Sequence, residues 1–146
     1  MNLFYGLTIL LLILNKIKTD STTTQAIKNL ILNSNYDPSI LSQDFIQINV
    51  DMFFKQIVKL DQNNQILVSS STLIAVWTDQ RLAWNFTEYP IEAIIFKATQ
   101  IWLPDLYIIN SADLNGFIPV SSSNLAMINY SGLVTIIYGL NSKYFK

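Results

Sequence analysis

The sequence predicts a mainly β fold, in which one short N-terminal helix is followed by the antiparallel strands of a sandwich. The helix is indicated by STTTQAIKNLILNSNY, where Ser and Thr residues that can cap a helix precede apolar residues at helical spacing, Ala26, Ile27, Leu30 and Ile31. The strands are indicated by short apolar runs that Pro, Asn, Asp, Ser and Gly residues separate.

The first predicted strand alternates apolar and polar residues from Ile46 to Phe54, with Phe53 as the one exception, so one of its faces should be buried. The pattern continues loosely to Leu60, and the turn residues DQNN at 61–64 precede the apolar residues 66–68. This order predicts a hairpin. Further strands are predicted at residues 73–77, 91–96, 125–128 and 133–138.

Composition excludes several classes of function. The 146 residues suffice for one domain with a core, and 51% of them are hydrophobic. The formal net charge of -1, without a run of basic residues, excludes a nucleic-acid partner. The chain has no Cys and no His, which rules out Cys/His zinc sites, thiol nucleophiles and Ser-His arrangements.

The acidic residues do not form a recognisable site. Glu88 and Glu92 flank Pro90, and Asp105 and Asp113 flank an apolar run, but neither spacing is diagnostic of catalysis or metal binding. We therefore predict no enzyme, no metal and no cofactor.

The N-terminus resembles a signal peptide. Residues 3–14 are apolar except for Gly6 and Thr8, a length typical of an h-region and too short to cross a bilayer comfortably. We predict a signal peptide at 1–20, with a short anchor or buried helix as the alternative. Two sequons, at Asn85 and Asn129, are then predicted to carry glycans on surface loops.

The segment IWLPDLYIINSAD, residues 101–113, contains an unusual interruption. Pro104 cannot donate to a sheet ladder and Asp105 is a poor strand former, so both break an otherwise apolar run. The tryptophans Trp77, Trp84 and Trp102 fit core packing, with an aromatic cage for a quaternary ammonium ligand as the alternative.

Three segments in order carry a resemblance to a known family: LDQNNQIL at 60–67, WTDQRLAWNFTEYP at 77–90, and IWLPDLYIINSAD. Together they resemble the extracellular ligand-binding domain of pentameric neurotransmitter-gated channels, in the nicotinic acetylcholine receptor branch. The resemblance implies an immunoglobulin-like β-sandwich behind a short helix. It also implies a homo- or hetero-pentamer of receptor subunits, with a small-molecule neurotransmitter bound between neighbours.

The resemblance implies roles for individual residues. Segment 101–113 would form the first loop of the principal ligand face, with Trp102, Pro104 and Asp105 as its scaffold and with Asn110 and Asp113 in the same segment. This role suits their chemistry, since proline fixes φ, an aspartate accepts bonds from nearby backbone N–H groups, and a tryptophan anchors a loop in the core.

Two other segments receive implied roles. A structural motif would comprise Trp77, Asp79, Leu82 and Trp84. A hairpin carrying Asp61, Asn64 and Gln65 would face the channel domain and help to transmit binding to the pore.

The chain departs from the nicotinic pattern at ligand-facing positions. A nicotinic subunit usually has tyrosine at the place of Ile109, so one π face for a cationic ligand is lost, although alternation would turn Tyr107 to the same side. The tryptophan that the family often places on the complementary face falls at Thr72. Where many members have Pro-Pro, residues 138–139 are Tyr-Gly.

The chain stops about where the family's first loop-closing cysteine would come, so residues 21–146 are expected to be a partial ligand-binding domain. The predicted function is the N-terminal part of that domain in an acetylcholine-gated cation channel subunit, directed to the secretory pathway and the extracellular side of the plasma membrane. The alternatives are a soluble secreted receptor-like protein that binds receptor subunits, a non-functional fragment, and a small secreted β-sandwich enzyme or carbohydrate binder.

Overall fold

The computed structural model describes residues 21–41, 45–112, 116–121 and 123–145; the predicted signal peptide at 1–20 and the site residue Asp113 lie outside the described residues. The elements in chain order are α1 (Ser21–Asn33), β1 (Asn49–Asp61), β2 (Ile66–Thr78), the 3-10 turn η1 (Gln80–Leu82), β3 (Ala93–Lys97), the 3-10 turn η2 (Ala98–Gln100), β4 (Leu125–Asn129) and β5 (Leu133–Phe145).

The strands form one antiparallel sheet in the order β1-β2-β5-β4-β3. β2 pairs with β5 along its full length, and the turn at residues 62–65 joins β1 to β2 as the predicted hairpin. β4 and β3 are short and continue the sheet beside the Leu133 end of β5. The prediction of a mainly β fold behind one N-terminal helix is confirmed.

The hydrophobic core lies where the helix and the segment after β3 cover the sheet. Helix α1 buries Ile27 and Ile31, the two residues on its predicted apolar face that are in the core. From the sheet, Trp77, Phe96 and Ile136 are fully or almost fully buried against them. Burial of such large side chains is the main stabilising contribution of this half of the molecule.

The prediction that the first strand buries one face is wrong for residues 49–54, whereas Ile46 and Ile48, which precede β1, are partly buried against the core. β1 begins at Asn49, and all of its residues except Asp61 are exposed, because β1 is an edge strand and no other described residue packs over it. Pairing shifts between Phe54 and Gln56 and between Ile57 and Lys59 mark two bulges. The bulges explain why the alternation loosens towards Leu60, since each extra residue shifts the side-chain phase by one.

β2 is one continuous strand, whereas the sequence predicts two apolar runs with three serines between them. Ser69 and Ser71 are buried and Ser70 points to the other face, so the serines keep the period of two. Pairing with both β1 and β5 holds this stretch extended despite the weak strand preference of serine.

The strands predicted at 91–96 and 125–128 correspond to β3 and β4, within two residues at each end, whereas β5 begins at Leu133 as predicted but continues seven residues past Tyr138 to Phe145. In the part of the chain that the structure describes, no helix is long and apolar enough to cross a membrane.

Candidate functional site

The site is built on the turn that follows β2. The Asp79 side chain caps η1 by accepting a hydrogen bond of 3.1 Å from the Arg81 backbone N–H, and the Asp79 N–H donates to the Gly132 carbonyl at 2.9 Å. Gly132 has φ +81°, and a Cβ there would lie 2.5 Å from the Asp79 carbonyl oxygen. A glycine is therefore required where the turn before β5 meets this aspartate.

Asp79 is fully buried and is neutralised by a two-pronged ion pair with Arg81. Arg81 donates through Nε to Oδ1 at 3.0 Å and through Nη2 to Oδ2 at 2.7 Å. The hydrogen bond to the carboxylate raises the pKa of the Arg81 guanidinium above its usual value. Paired charges with this fork geometry are the form in which a protein interior tolerates a carboxylate.

The same guanidinium reaches the segment that follows α1. Its Nη1 donates to the backbone carbonyls of Asp37, at 3.1 Å, and Ile40, at 2.8 Å. Its central carbon lies 4.5 Å from the centre of the Tyr36 ring, within cation–π range. Arg81 thus joins the η1 turn to residues 36–40.

Tyr36 connects this ion pair to the loop that begins at Trp102. Its hydroxyl lies 3.3 Å from Oδ2 of Asp79, to which it donates, and it accepts a hydrogen bond of 2.8 Å from the Trp102 backbone N–H. Burial raises the pKa of Tyr36 to about 12. We call Tyr36, Asp79, Arg81 and the Trp102 backbone the clamp.

The predicted structural motif shares Asp79 with the clamp, and its other members are Trp77, Leu82 and Trp84. The Trp77 ring meets the Trp102 ring edge-on, with centroids 6.1 Å apart. Leu82 is fully buried, and Trp84 donates through its indole N–H to the Ile91 carbonyl at 3.1 Å. The tryptophans therefore pack in the core or at its margin, as the simpler sequence interpretation predicts.

Residues 101–112, called here the Trp102 loop, leave the core gradually. Pro104 is buried and Asp105 is exposed. From there the side chains alternate, with Leu106 and Ile108 half-buried and Tyr107 exposed. The scaffold role predicted for Trp102, Pro104, Asp105 and Asn110 stays a prediction, and the structure places only the first two against the core.

A short ladder holds the middle of the Trp102 loop. The Ile108 N–H donates to the Gly116 carbonyl at 2.7 Å, and the Ile118 N–H donates to the Leu106 carbonyl at 3.0 Å. Gly116 has φ +55°, and a Cβ at this position would lie 2.7 Å from the Ile108 carbonyl oxygen. The segments 106–108 and 116–118 can approach this closely because position 116 is glycine.

The outer side of the Trp102 loop is apolar. The Tyr107 ring stacks edge-on against Phe117, with centroids 4.8 Å apart, and Ile109 is fully exposed. Asn110 is also exposed. Tyr107 and Ile109 are thus both exposed, but Ile109 lies in a turn closed by the hydrogen bond from the Ser111 N–H to the Ile108 carbonyl, so their placement on one side by strand alternation stays a prediction.

The end of the Trp102 loop is attached to the C-terminal part of β5, which pairs with β2 on its other side. Ser111 forms a bridge with Tyr144, and the Ala112 N–H donates to the Lys143 carbonyl at 2.8 Å. The loop is therefore held at its start by the clamp and at its end by β5, with Ile109 projecting between the two attachments.

Thr72 lies on the other side of the sheet from the core. It pairs with Phe53 on β1 and Gly139 on β5, and it is half-buried between two exposed apolar neighbours. A Cβ at Gly139 would meet nothing within 4 Å among the described residues. Thr72 itself supplies no aromatic ring on this open face, and the ring beside it is that of its pairing partner Phe53.

The predicted coupling hairpin is the β1–β2 turn. Asp61 accepts hydrogen bonds at 3.1 Å from the Asn64 N–H and at 3.2 Å from Asn64 Nδ2, and these bonds lower the pKa of the Asp61 carboxyl. Gln65 completes the turn with φ +56°. The turn is well formed, while its role in transmission stays a prediction.

The two predicted glycosylation sites lie side by side. Asn85 is exposed and accepts a hydrogen bond from the Thr87 N–H, while Asn129 is half-buried at the end of β4, just before the turn to β5. The middle residues of the two sequons, Phe86 and Tyr130, are in ring contact with centroids 5.1 Å apart. In the described segments no group of three acidic residues is placed to hold a metal ion.

Sequence reasoning missed Tyr36 and Arg81. Tyr36 directly precedes the Asp-Pro pair that marks a loop, and Arg81 is the one basic residue in WTDQRLAW. A charged residue two positions after an aspartate inside an apolar motif is the signal that could have indicated a buried ion pair.

A comparison with protein families shows to which family the chain belongs. Residues 21–145 match the neurotransmitter-gated ion-channel ligand binding domain family. The chain belongs to this family. Members of the neurotransmitter-gated ion-channel ligand binding domain family are not enzymes, so the prediction of no catalytic activity is confirmed.

Relatives within the family are nicotinic. The chain is 37% identical to the neuronal acetylcholine receptor subunit alpha-3 of Rattus norvegicus over 93 residues, which are 63% of this chain and 18% of that protein. It is 33% identical to the beta-3 subunit of the same organism over 99 residues, 67% of this chain and 21% of the relative. The chain thus spans about a fifth of the length of these relatives.

Proposed function

We propose that this chain supplies the N-terminal part of the extracellular ligand-binding domain of an acetylcholine-gated cation channel subunit. The observation that carries the proposal is the family membership of residues 21–145. Within that range the clamp and the Trp77–Trp102 contact hold the Trp102 loop, the segment for which the resemblance implies a ligand-facing role.

The ligand-facing side of this domain should bind a quaternary ammonium ligand more weakly than that of a subunit with tyrosine at position 109. Ile109 is fully exposed and carries no π face, and the ring of Tyr107, two residues earlier, is engaged edge-on with Phe117. Because a cation–π contact contributes about 0.5–2 kcal/mol, its loss corresponds to roughly a two- to thirtyfold weaker response to a quaternary ammonium ligand.

A chimera tests this function. Residues 21–145 replace the matching segment of the rat alpha-3 subunit, which is expressed with rat beta-4 in oocytes. We expect an acetylcholine-evoked cation current, and we expect Ile109→Tyr to lower the half-maximal acetylcholine concentration by roughly two- to thirtyfold. The matched control is Ile95→Tyr on β3, another exposed isoleucine. A chimera that reaches the cell surface but stays silent with and without Ile109→Tyr would contradict the proposal.

A second candidate function is binding to receptor subunits as a separate chain. It is favoured by the exposed apolar patch formed by Tyr107, Ile109 and Phe117. Co-precipitation with rat alpha-3 tests it, with Ile109→Asp expected to abolish capture. Leu125→Asp, at an exposed leucine on β4, is the control and should leave capture intact. Equal capture by both variants would reject the patch as the binding surface.

The proposed location is the secretory pathway and the extracellular side of the membrane, with assembly into homo- or hetero-pentamers. Support comes from the apolar leader and from the two sequons at surface turns. When the chain is expressed in secretory cells, Asn85→Gln and Asn129→Gln should each remove one glycan from the mass of the protein. Retention of the full leader and an unglycosylated mass would contradict this location.

A further inference from the structure

The Trp102 backbone amide depends on a side chain far away in the sequence. Tyr36 is 66 residues before Trp102 and 43 before Asp79, yet its hydroxyl bonds to both. The Trp102 N–H can only donate and the Asp79 carboxylate can only accept. A hydroxyl between them satisfies both at once, because it accepts one hydrogen bond and donates another.

Arg81 fixes the position of that hydroxyl. The guanidinium lies over the Tyr36 ring at 4.5 Å, and it binds the carbonyls of Asp37 and Ile40, which belong to the chain segment that carries Tyr36. Asp79, which receives the tyrosine proton, also receives Nε and Nη2 of Arg81. Ring, backbone and hydroxyl of this segment are thus all held by one buried ion pair.

We propose that Tyr36 is a positioning residue for the ligand-facing loop: its hydroxyl fastens the Trp102 amide, near the start of the Trp102 loop, to the Asp79–Arg81 ion pair and to the segment after helix α1. The consequence for ligand response rests on the proposed function, whereas the positioning itself does not. A displacement of residues 36–40 is passed to Trp102 through a single hydrogen bond of 2.8 Å.

The protonation state of Tyr36 suits this task. Burial raises its pKa to about 12, against a smaller opposing influence from the Trp102 hydrogen bond. The charged groups that face it are Asp79 and Arg81, which bind each other. The hydroxyl therefore keeps its proton at neutral pH and remains a donor to Asp79.

Amide hydrogen exchange on the whole chain tests the proposal. Tyr36→Phe keeps the ring under Arg81 and removes only the hydroxyl. We expect exchange of the Trp102 amide to become about five- to tenfold faster, the loss expected for one hydrogen bond. Exchange along β2 and β5 should stay unchanged. Tyr89→Phe is the matched control, since Tyr89 lies in another turn and its hydroxyl bonds to Glu88.

Two outcomes would overturn the proposal. One is an unchanged Trp102 amide in Tyr36→Phe; the other is equal acceleration of the β2 and β5 amides, which would show loss of overall stability only. If Tyr36→Phe does not fold, the wild-type chain still decides the question. Its Trp102 amide must exchange at least about tenfold more slowly than the Leu103 amide, because among the described residues the half-buried Tyr36 hydroxyl accepts from the Trp102 N–H and no acceptor is found for the Leu103 N–H.

The chimera separates this inference from the proposed function. If the chimera gives no acetylcholine current while Tyr36→Phe still accelerates exchange at Trp102, the function is rejected and the positioning role stands. If current is present and Tyr36→Phe leaves both the current and the exchange unchanged, the positioning role is rejected.

Discussion

The two edge strands of this sheet differ in almost every physical respect. β3 has 5 residues, three of them buried, and its Phe96 is fully enclosed beneath helix α1, with Lys28 5.4 Å above the ring. β1 has 13 residues, of which only Asp61 is not exposed. The β3 edge is covered by helix α1, whereas the β1 edge is exposed.

β1 carries the features by which proteins protect an open edge. Two bulges interrupt its pairing, one at Lys55 and one at Val58, and Lys59 forms an exposed ion pair with Asp61. Bulges and lysines discourage a second strand from pairing with the edge. The difference teaches that an apolar alternating pattern predicts a strand, while a separate part of the chain decides whether its face is buried.

The largest expected effect compares one phenylalanine from each edge. Phe96→Ala should lower the free energy of unfolding by about 3–5 kcal/mol, because it leaves a cavity in the core. Phe54→Ala on β1 should change it by less than about 1 kcal/mol, since that ring is already more than half exposed. Denaturant titration measures both. Similar losses at the two positions would mean that the face of β1 is covered in solution.

The second comparison sets the buried ion pair against the exposed one. Asp79→Ala should cost about 3–5 kcal/mol, because it leaves the Arg81 charge and the Tyr36 hydroxyl without their acceptor. Lys59→Ala, which breaks the exposed pair with Asp61 but leaves the hydrogen bonds of Asp61 to Asn64 in place, should leave the denaturation midpoint nearly unchanged. If both variants unfold at the wild-type midpoint, the clamp contributes nothing to stability.

Smaller changes in the free energy of unfolding are expected when two glycines are replaced by alanine. Gly132 lies beside the clamp and Gly139 lies on the open face of the sheet. Gly132→Ala should cost about 1–3 kcal/mol, because φ is +81° and the new Cβ would meet the Asp79 carbonyl. Gly139→Ala meets open space and should stabilise by about 0.5 kcal/mol, as expected for alanine replacing glycine in a strand. Thermal unfolding of the two variants should therefore shift in opposite directions.

The smallest expected effect concerns the titration of two tyrosines, which leaves stability unchanged at neutral pH and lowers it only at alkaline pH. Burial raises the pKa of Tyr36 and of Tyr138 to about 12 from the ordinary value of 10.0, so above pH 10 the unfolded chain loses protons that the folded chain keeps. Stability should then fall as the pH rises from about 10 to about 12. Tyr36→Phe should flatten this fall more than Tyr89→Phe, because burial raises the pKa of Tyr36 to about 12, whereas the pKa of Tyr89 is raised mainly by its hydrogen bond to Glu88. An identical pH profile for all three chains would contradict the buried hydroxyl.

Local chemistry made much of the fold and site predictable. Ile27 and Ile31 have helical spacing, DQNN specifies a turn, and Pro104 with Asp105 marks the point where a strand must give way to a loop. Trp102 is predicted to anchor the loop because a large ring gains most from burial, and it packs against Trp77 as that argument requires.

Other features depend on contacts between residues remote in sequence. Tyr36 reaches Trp102 across 66 positions, and no local pattern specifies that encounter. The serines of β2 read as a break because serine is a poor strand former, but pairing on both sides keeps them extended.

The sequence by itself determined the helix, the hairpin, the positions of the short strands and the family to which the loop belongs. Each of these follows from residues within one or two turns of chain or from a short motif. Only the tertiary structure decided that β1 is an open edge, that Asp79 is buried against Arg81, and that Tyr36 holds the Trp102 loop. Burial and pairing are properties of what the chain places opposite a residue, and that placement is set by the whole sheet rather than by any one segment.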